Sequence, residues 1–291
     1  MNVEQGSAEI YSGLQKALKE NTGFLVGRNG TIELETLFSP NSTHTQERLE
    51  LHAGIWPQGH PSIDTWSTRT REAIQACDVL VAGWYAPLAN KERVYLDSLG
   101  VKAPRIPLRS LEPYYVSPEK RWTSLLKDQK VAIINAFAAT AVNQTCVRDE
   151  IWPLYTDSLL PTTTQWIPIV TGYCPSLANG RAGWPEGIQT WEDAVSFVVS
   201  ATIESGARIA IIGCGGLGLV IGHELKKKGL IIVVMGGATQ VLFGIKGGRW
   251  ATHDVISHFW NDAWVYPTEA ETPRGASTIE NGCYWSPSTK N

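Results

Sequence analysis

Residues 208–235 constrain the fold of this chain more than any other part of its sequence. A strand is predicted at 208–212, which is apolar after Arg208. It is followed by a glycine-rich turn at 213–218 and a helical pattern at 219–228. A second apolar run at 230–235 predicts another buried strand. Two buried strands joined through a helix usually lie parallel in one sheet, so this unit predicts an α/β fold.

Strand and helix patterns also alternate along the rest of the chain. Further strands are predicted at 24–26, 79–82, 130–134 and 167–170, and helices at 8–20, 31–38, 69–77, 138–150, 190–205 and 252–264. Long irregular segments are predicted at 39–65, with one short helix, and at 100–120 and 152–190. We expect a mostly parallel, Rossmann-like sheet flanked by helices. It would form a single domain over residues 1–291, with residues 265–291 wrapping the body as a tail.

Charge, hydropathy and absent motifs exclude several classes of protein. The 25 basic and 28 acidic residues give a net charge of −3, which argues against binding to nucleic acid. No apolar run approaches the ~20 residues of a membrane span, and residues 1–5 lack the features of a signal peptide. The five cysteines form no C-x-x-C pair, so we expect a soluble protein in a reducing compartment, the cytoplasm. There is no G-x-S-x-G nucleophile motif and no P-loop.

The turn at 213–218 fits the pattern G-x-G-x-x-G between a strand and a helix. Its glycines permit close approach of a ligand, and the N-terminus of the following helix attracts phosphate. We therefore predict that Gly213, Gly215 and Gly216 bind a phosphate or diphosphate. The alternative is a tight crossover in which a Cβ atom would clash. A dinucleotide cofactor such as NAD would need an acidic residue about 20 positions further on, where residues 233–235 are apolar.

A second pair of glycines, Gly236 and Gly237, follows the next predicted strand. Ligands of open parallel sheets bind at the carboxyl ends of the strands, so both glycine groups should face one site. In the loop beyond, Lys246 and Arg249 could pair with a phosphate, and Trp250 could stack on a base or a sugar. The alternative is a mobile basic loop.

Polar residues follow two other predicted strands. After the first strand, Arg28, Asn29 and Gly30 can offer several donors to a hydroxylated or anionic ligand. Glu33, one turn later, can accept hydrogen bonds from sugar hydroxyls or act as a base. Four residues after the third strand are predicted to line the same cleft: Asn135, Phe137, Thr140 and Gln144. The alternative role of both groups is structural, as helix caps, loop contacts and surface ion pairs.

The order of these motifs resembles the GT-D-type glycosyltransferases. That family has an R-F-G-D-G-E block after a short strand, where this chain has Arg-Asn-Gly-Thr-Ile-Glu at 28–33. An F-x-x-T-x-x-x-Q stretch of the family is matched at 137–144, and its strand–glycine–helix unit at 212–237. The resemblance implies a GT-D-type architecture and a sugar transferred from a nucleotide-sugar donor to a glycan or other hydroxyl acceptor.

The family holds a divalent metal against the diphosphate with a D-x-E pair, and this chain departs from that pattern. Glu33 matches, but Thr31 replaces the first aspartate and Val234 a second one. Glu35 is a poor substitute, because two residues two apart on a helix point about 200° apart. A bound Mn²⁺ or Mg²⁺ is therefore in doubt. Basic side chains and a helix N-terminus could neutralise the departing diphosphate instead.

In the C-terminal part, Asp254 is the predicted second catalytic residue beside Glu33, with His253 and Glu271 as alternatives. One of them would deprotonate the acceptor hydroxyl, provided that it lies within hydrogen-bond reach. Two other functions stay open: an NAD(P)-dependent oxidoreductase that uses the turn at 213–218, and a non-catalytic protein of the same fold that binds a nucleotide or sugar.

Overall fold

A seven-stranded sheet lies at the centre of the computed structural model, which describes residues 1–286. Its strands are β1 Phe24–Arg28, β2 Val79–Val81, β3 Arg105–Ile106, β4 Lys130–Asn135, β5 Gln165–Val170, β6 Ile209–Gly213 and β7 Ile231–Val234. They are ordered β3-β2-β1-β7-β6-β4-β5, and every neighbouring pair is parallel. The predicted α/β fold with a mostly parallel sheet is confirmed.

Helices connect the strands and cover the sheet. They are α1 Val3–Glu20, α2 Thr31–Phe38, α3 Thr43–Ala53, α4 His60–Gln75, α5 Ala86–Ser98, α6 Leu108–Leu111, α7 Ala138–Gln144, α8 Arg148–Ile151, α9 Thr156–Leu159, α10 Pro175–Ala178, α11 Trp191–Glu204, α12 Gly218–Lys227 and α13 Ala238–Leu242. In residues 1–286 no helix is both long enough and apolar enough to cross a membrane.

The side chains of β1 show how the two faces of the sheet are covered. Phe24 points to α1, where a Cβ atom on Gly13 would clash with its ring. Leu25 points to the opposite face, where a Cβ atom on Gly222 of α12 would lie 3.0 Å from it. Glycine on each helix thus allows close packing on the sheet. The core strands are apolar on both faces, as expected for a parallel sheet between helices.

Three predictions of local structure were wrong. Residues 39–65 contain α3 and the start of α4 rather than one short helix, and residues 100–120 contain β3 and α6 rather than a loop alone. The helix predicted at 252–264 is reduced to a 3₁₀ turn at Ile256–Phe259. There the side chain of Asn261 accepts a hydrogen bond from the N–H of Ala263 and donates one to the carbonyl of Glu150. Such side-chain bonds compete with helix formation.

The C-terminal segment packs into the body of the molecule. Trp285 is 1% exposed and meets the ring of Phe137 edge to face, with 6.1 Å between ring centroids. Thr140 of α7 donates to Glu271 through both its N–H and its hydroxyl, at 3.1 and 2.6 Å. Residues 287–291 of the predicted tail lie outside the described residues.

Candidate active site

A cavity of about 540 Å³ opens at the carboxyl edge of the sheet. Residues that end or follow six of the seven strands line it. They are Arg28 at the end of β1, Trp84 and Tyr85 after β2, Asn135 and Phe137 at and after the end of β4, Tyr173 and Cys174 after β5, Gly213 and Cys214 at and after the end of β6, and Gly236 and Gly237 after β7. Residues of the C-terminal half of α3, the start of α2 and the C-terminal part of the chain, among them Arg249, Ile279, Glu280 and Tyr284, also line it. This is the edge at which ligands of open parallel sheets bind.

Arg28, the last residue of β1, is held from two sides. Its Nη1 donates to the carbonyl of Met235 at 3.0 Å, and its guanidinium lies 5.1 Å from the ring centroid of Trp84. Gly236 has a φ of +60°, and a Cβ atom there would lie 2.7 Å from the same Nη1. Glycine at this position therefore lets the guanidinium lie against the turn after β7.

Glu33 lies in the first turn of α2 and folds back toward the start of its own helix. Its carboxylate packs against Gly30, the N-cap residue, so that a Cβ atom at Gly30 would clash with it. Burial raises the pKa of Glu33 and the nearby charge of Glu280 adds to the rise, while a backbone hydrogen bond and Arg28 oppose it. Glu33 is thus a cavity carboxyl group that takes up a proton more readily than an exposed one.

Arg249 approaches the same turn from the C-terminal side. A Cβ atom at Gly237 would lie 3.1 Å from its Nη1, and its guanidinium lies 4.4 Å from the ring centroid of Tyr284. Its Nη2 forms an ion pair with Glu280. Arg28 and Arg249 therefore pack against the two adjacent glycines at the end of β7.

The charged side chains that line the cavity leave it with a positive balance. They are three arginines and two glutamates: Arg28, Arg48, Arg249, Glu33 and Glu280. His52 also lines the cavity; burial lowers its pKa, so the ring is neutral at neutral pH. The balance of one positive charge suits an anionic ligand.

All four residues predicted at and after the end of β4 have structural partners. The Asn135 amide donates to the carbonyl of Gly213 at 2.6 Å and accepts from the N–H of Phe137 at 2.7 Å, which ties β4 to β6 and opens α7. Asn135 and Phe137 nevertheless line the cavity. Thr140 binds Glu271, and Gln144 donates to the carbonyl of Ala263 at 2.8 Å. The latter two hold the C-terminal segment and do not line the cavity.

The glycine-rich turn is a packing site as well as part of the lining. A Cβ atom at Gly215 would lie 2.8 Å from the carbonyl of Ala53, and one at Gly216 would lie 3.0 Å from Ile55. A Cβ atom at Gly213 would lie 2.7 Å from the carbonyl of Gly236. Gly213 and Gly215 line the cavity, whereas Gly216 does not. The clash expected of a tight crossover is thus present, beside a face that is open to the cavity.

Four other predicted residues lie outside the cavity. Lys246 places its ammonium group 5.7 Å from the ring centroid of Trp260, and Trp250 packs on His253 with 5.8 Å between ring centroids. Asp254 is exposed on the surface. Asn29 is 1% exposed and lies behind Arg28, where its carbonyl accepts from the indole N–H of Trp84 at 3.0 Å.

The residues at the family's metal positions do not make a metal site. Thr31 and Val234 both line the cavity, but neither side chain is a carboxylate, and Val234 is only 4% exposed. Glu35 forms an ion pair with Arg48 instead of joining Glu33. Among residues 1–286, no group of three or more His, Cys, Asp or Glu side chains is arranged to hold a metal ion.

Among the cavity residues that were not predicted to lie there are Arg48, His52, Tyr173, Glu280 and Tyr284. Arg48 and His52 lie on α3, within the segment expected to be irregular. Glu280 and Tyr284 belong to the tail, which was predicted only to wrap the body. None belongs to a motif, so only the tertiary structure reveals their place.

The structure is similar to three solved structures of the domain of unknown function 1792. A selenomethionine-substituted one is 13% identical over 82% of each chain, with a TM-score of 0.44. The second, described as a highly conserved domain with a distinct glycosyltransferase fold, is 13% identical over 80% of this chain and 82% of that one, at a TM-score of 0.42. The third, described as a new glycosyltransferase from Streptococcus sanguinis, is 14% identical over 90% of this chain and 94% of that one, at 0.47.

The similarity to these structures is one of fold. Similarity at this level of identity and superposition does not identify a reaction or a ligand. No protein-family model matches the chain, and no curated protein matches it.

Proposed function

We propose that this protein is a glycosyltransferase that moves a sugar from a nucleotide-sugar donor to a hydroxyl acceptor. The observation that carries the proposal is the approach of two guanidinium groups, from Arg28 and Arg249, to the adjacent glycines at the end of β7. Two fixed cations beside a glycine turn in a cavity can stabilise the charge of a departing diphosphate. The order of motifs in the sequence supports the same reaction.

Glu33 is the group we assign to proton transfer. The bond from the anomeric carbon to the diphosphate oxygen breaks, and a bond to the acceptor oxygen forms. The acceptor's proton passes to the Glu33 carboxylate, and the negative charge left on the diphosphate is balanced by Arg28 and Arg249. A carboxyl group with a raised pKa is a better base than an exposed one.

The nucleotide end of the donor is assigned to the turn after β6. The 3₁₀ turn at Gly215–Leu217 leads into α12, and the first N–H groups of such a turn have no partner within it. These groups and the helix dipole favour a phosphate. The positions of Thr31 and Val234 offer no carboxylate for a metal ion, so the arginines and the helix N-terminus balance the charge of the diphosphate.

Thermal unfolding with a panel of nucleotides, nucleotide sugars, NAD and NADP, each with and without Mn²⁺, tests this proposal. A ligand at ~100 times its dissociation constant adds about 2.7 kcal/mol to stability, which raises Tm by several degrees. We expect one nucleotide and its sugars to raise Tm, and Arg28→Gln and Arg249→Gln each to abolish the shift. Lys246→Gln is the matched control, since that cation lies outside the cavity.

Other outcomes would favour the alternatives. A shift with NAD or NADP alone would contradict sugar transfer and assign the glycine turn to a dinucleotide. A shift with nucleotide sugars but no hydrolysis or transfer of the sugar would indicate a non-catalytic binding protein. We further propose that the protein acts in the cytoplasm and that the acceptor is a glycan.

A further inference from the structure

One carboxylate oxygen in the C-terminal segment gathers three donors at the cavity wall. Oε2 of Glu280 pairs with Nη2 of Arg249, and it accepts from the Tyr284 hydroxyl and the Cys283 thiol, both at 3.3 Å. The N–H of Glu280 donates to Nδ1 of His52 at 3.3 Å. Glu280 thus connects α3, the loop that carries Arg249 and its own segment.

The backbone around Glu280 is in an unfavourable conformation. Glu280 and Asn281 both lie in the left-handed region, with φ of +45° and +57°. Consecutive non-glycine residues adopt this region only where the surrounding contacts hold them, and such residues cluster at functional sites. The strain is local to the residue whose carboxylate reaches Arg249.

The guanidinium of Arg249 is held along one edge and left open along the other. Its Nε and Nη2 lie 3.2 and 2.9 Å from the sulfur of Cys283, and Nη2 also pairs with Glu280. The ring of Tyr284 covers the guanidinium face. Nη1 is turned to Gly237, and both Arg249 and Gly237 line the cavity.

From this geometry we propose that Glu280 is a positioning residue: it fixes the orientation in which Arg249 presents Nη1 to a diphosphate ligand. The class of ligand rests on the proposed function, whereas the orientation of Arg249 does not. A fixed guanidinium binds a phosphate without the loss of side-chain entropy that a free arginine would suffer.

The direction in which replacement of Glu280 changes the affinity for an anion distinguishes positioning from a simple charge effect. Replacing Glu280 removes a negative charge from the cavity wall, so a charge effect alone would strengthen the binding of an anion. Loss of positioning would weaken it, because Arg249 would no longer be held. We expect Glu280→Ala to weaken binding of inorganic pyrophosphate about tenfold, the scale of a hydrogen bond to a charged group.

Calorimetric titration with pyrophosphate measures this effect, and it needs no knowledge of the nucleotide or the sugar. We expect a smaller loss for Glu280→Gln, which keeps an acceptor for Arg249, and no further loss when Glu280→Ala is added to Arg249→Gln. Glu269→Ala is the matched control, because this glutamate of the same segment pairs with Arg181 away from the cavity. Equal or tighter binding by Glu280→Ala, or an equal loss in the Arg249→Gln background, would overturn the proposal.

A second measurement reads the orientation directly. In protein labelled with ¹⁵N-arginine, the Nε–H signal that disappears in Arg249→Gln belongs to Arg249, and we expect it to be sharp in the wild type. This signal should broaden in Glu280→Ala. If Glu280→Ala does not fold, the same broadening should be measured in Glu280→Gln. An unchanged signal would overturn the proposal. Altered pyrophosphate binding without any turnover of nucleotide sugars would leave it standing and contradict the proposed function instead.

Discussion

Among single residues, Glu33 is the one whose ionisation should control the rate. Burial raises its pKa, so the carboxylate form that accepts a proton appears at higher pH than for an exposed glutamate. We expect kcat/KM to rise with pH through this raised pKa. Glu33→Gln should remove that limb of the profile and lower kcat/KM by about 10²–10⁴-fold, the usual contribution of a general base.

Glu35→Gln is the control for this prediction. Glu35 lies on the same helix, but its carboxylate pairs with Arg48. A partly exposed ion pair of this kind contributes about 0–1 kcal/mol, so the pH limb should persist in the variant with little change in rate. Persistence of the limb in Glu33→Gln would show that another group accepts the proton.

Glu112 is a second buried carboxyl group, and it should make stability depend on pH. It is 7% exposed, and burial raises its pKa to about 7, although Arg28 and Arg109 oppose the rise. The folded state therefore binds more protons than the unfolded state between pH 4.5 and 7. The contribution of Glu112 to the free energy of unfolding must fall as pH rises through this window, by up to about 3 kcal/mol.

Replacing Glu112 by glutamine should remove this dependence. Chemical denaturation at pH 5 and pH 8 would measure it: the wild type should lose more stability than Glu112→Gln on going to pH 8. Glu119→Gln, on an exposed residue nearby, should behave like the wild type. A wild-type profile that is flat from pH 5 to pH 8 would mean that the carboxyl group is charged in the fold.

At the scale of elements, the turn between β6 and α12 should stabilise the fold through its contact with α3. Gly215 has a φ of +56°, and a Cβ atom there would lie 2.8 Å from the carbonyl of Ala53. Gly206 has a φ of +70°, but its nearest neighbour would be 3.8 Å away. Both variants place an alanine in the left-handed backbone region, which costs about 1–3 kcal/mol. Because only the alanine at position 215 would also clash with Ala53, Gly215→Ala should lose more stability than Gly206→Ala.

Urea unfolding of the two variants separates the two interpretations of the glycine pattern. A larger loss of stability in Gly215→Ala means that the glycine serves packing against α3. Equal losses, with nucleotide binding impaired only in Gly215→Ala, would mean that the glycine serves close approach of a ligand alone.

The elements that were predicted well from the sequence are those in which the apolar pattern of the element itself shows which residues are buried. The strands β1, β4, β6 and β7 each contain a continuous apolar run, and α2 and α11 have the predicted bounds to within a residue. Helix α5 received no prediction, because only Glu92 and Leu96 of its residues are buried and no apolar periodicity results. The two residues of β3 are too few to show a pattern.

At the scale of the whole molecule, the cavity combines parts that follow strands with parts that do not. Arg28, Glu33 and Gly236 could be predicted, because the carboxyl ends of parallel strands meet at one edge of the sheet. His52 and Glu280 could not, because their contact joins positions 228 residues apart through the packing of α3 against the C-terminal segment. Lys246 was predicted to bind a phosphate in the cavity, but it lies outside the lining. Its loop places the ammonium group near the ring of Trp260 instead.

If the C-terminal segment is part of one cooperative unit with the sheet, its buried tryptophan should control global stability. Trp285 is 1% exposed and packs on Phe137 and Tyr173, which both line the cavity. Removing a buried tryptophan side chain costs about 3–5 kcal/mol. We expect Trp285→Ala to lower Tm in a single transition and to weaken ligand binding. Replacing the partly exposed Trp260, which precedes this segment, by alanine should do much less. If Trp285→Ala melts in two steps in the calorimeter, with the main transition unchanged, the segment is a separate unit. The part of the cavity wall that the segment supplies would then form independently of the sheet.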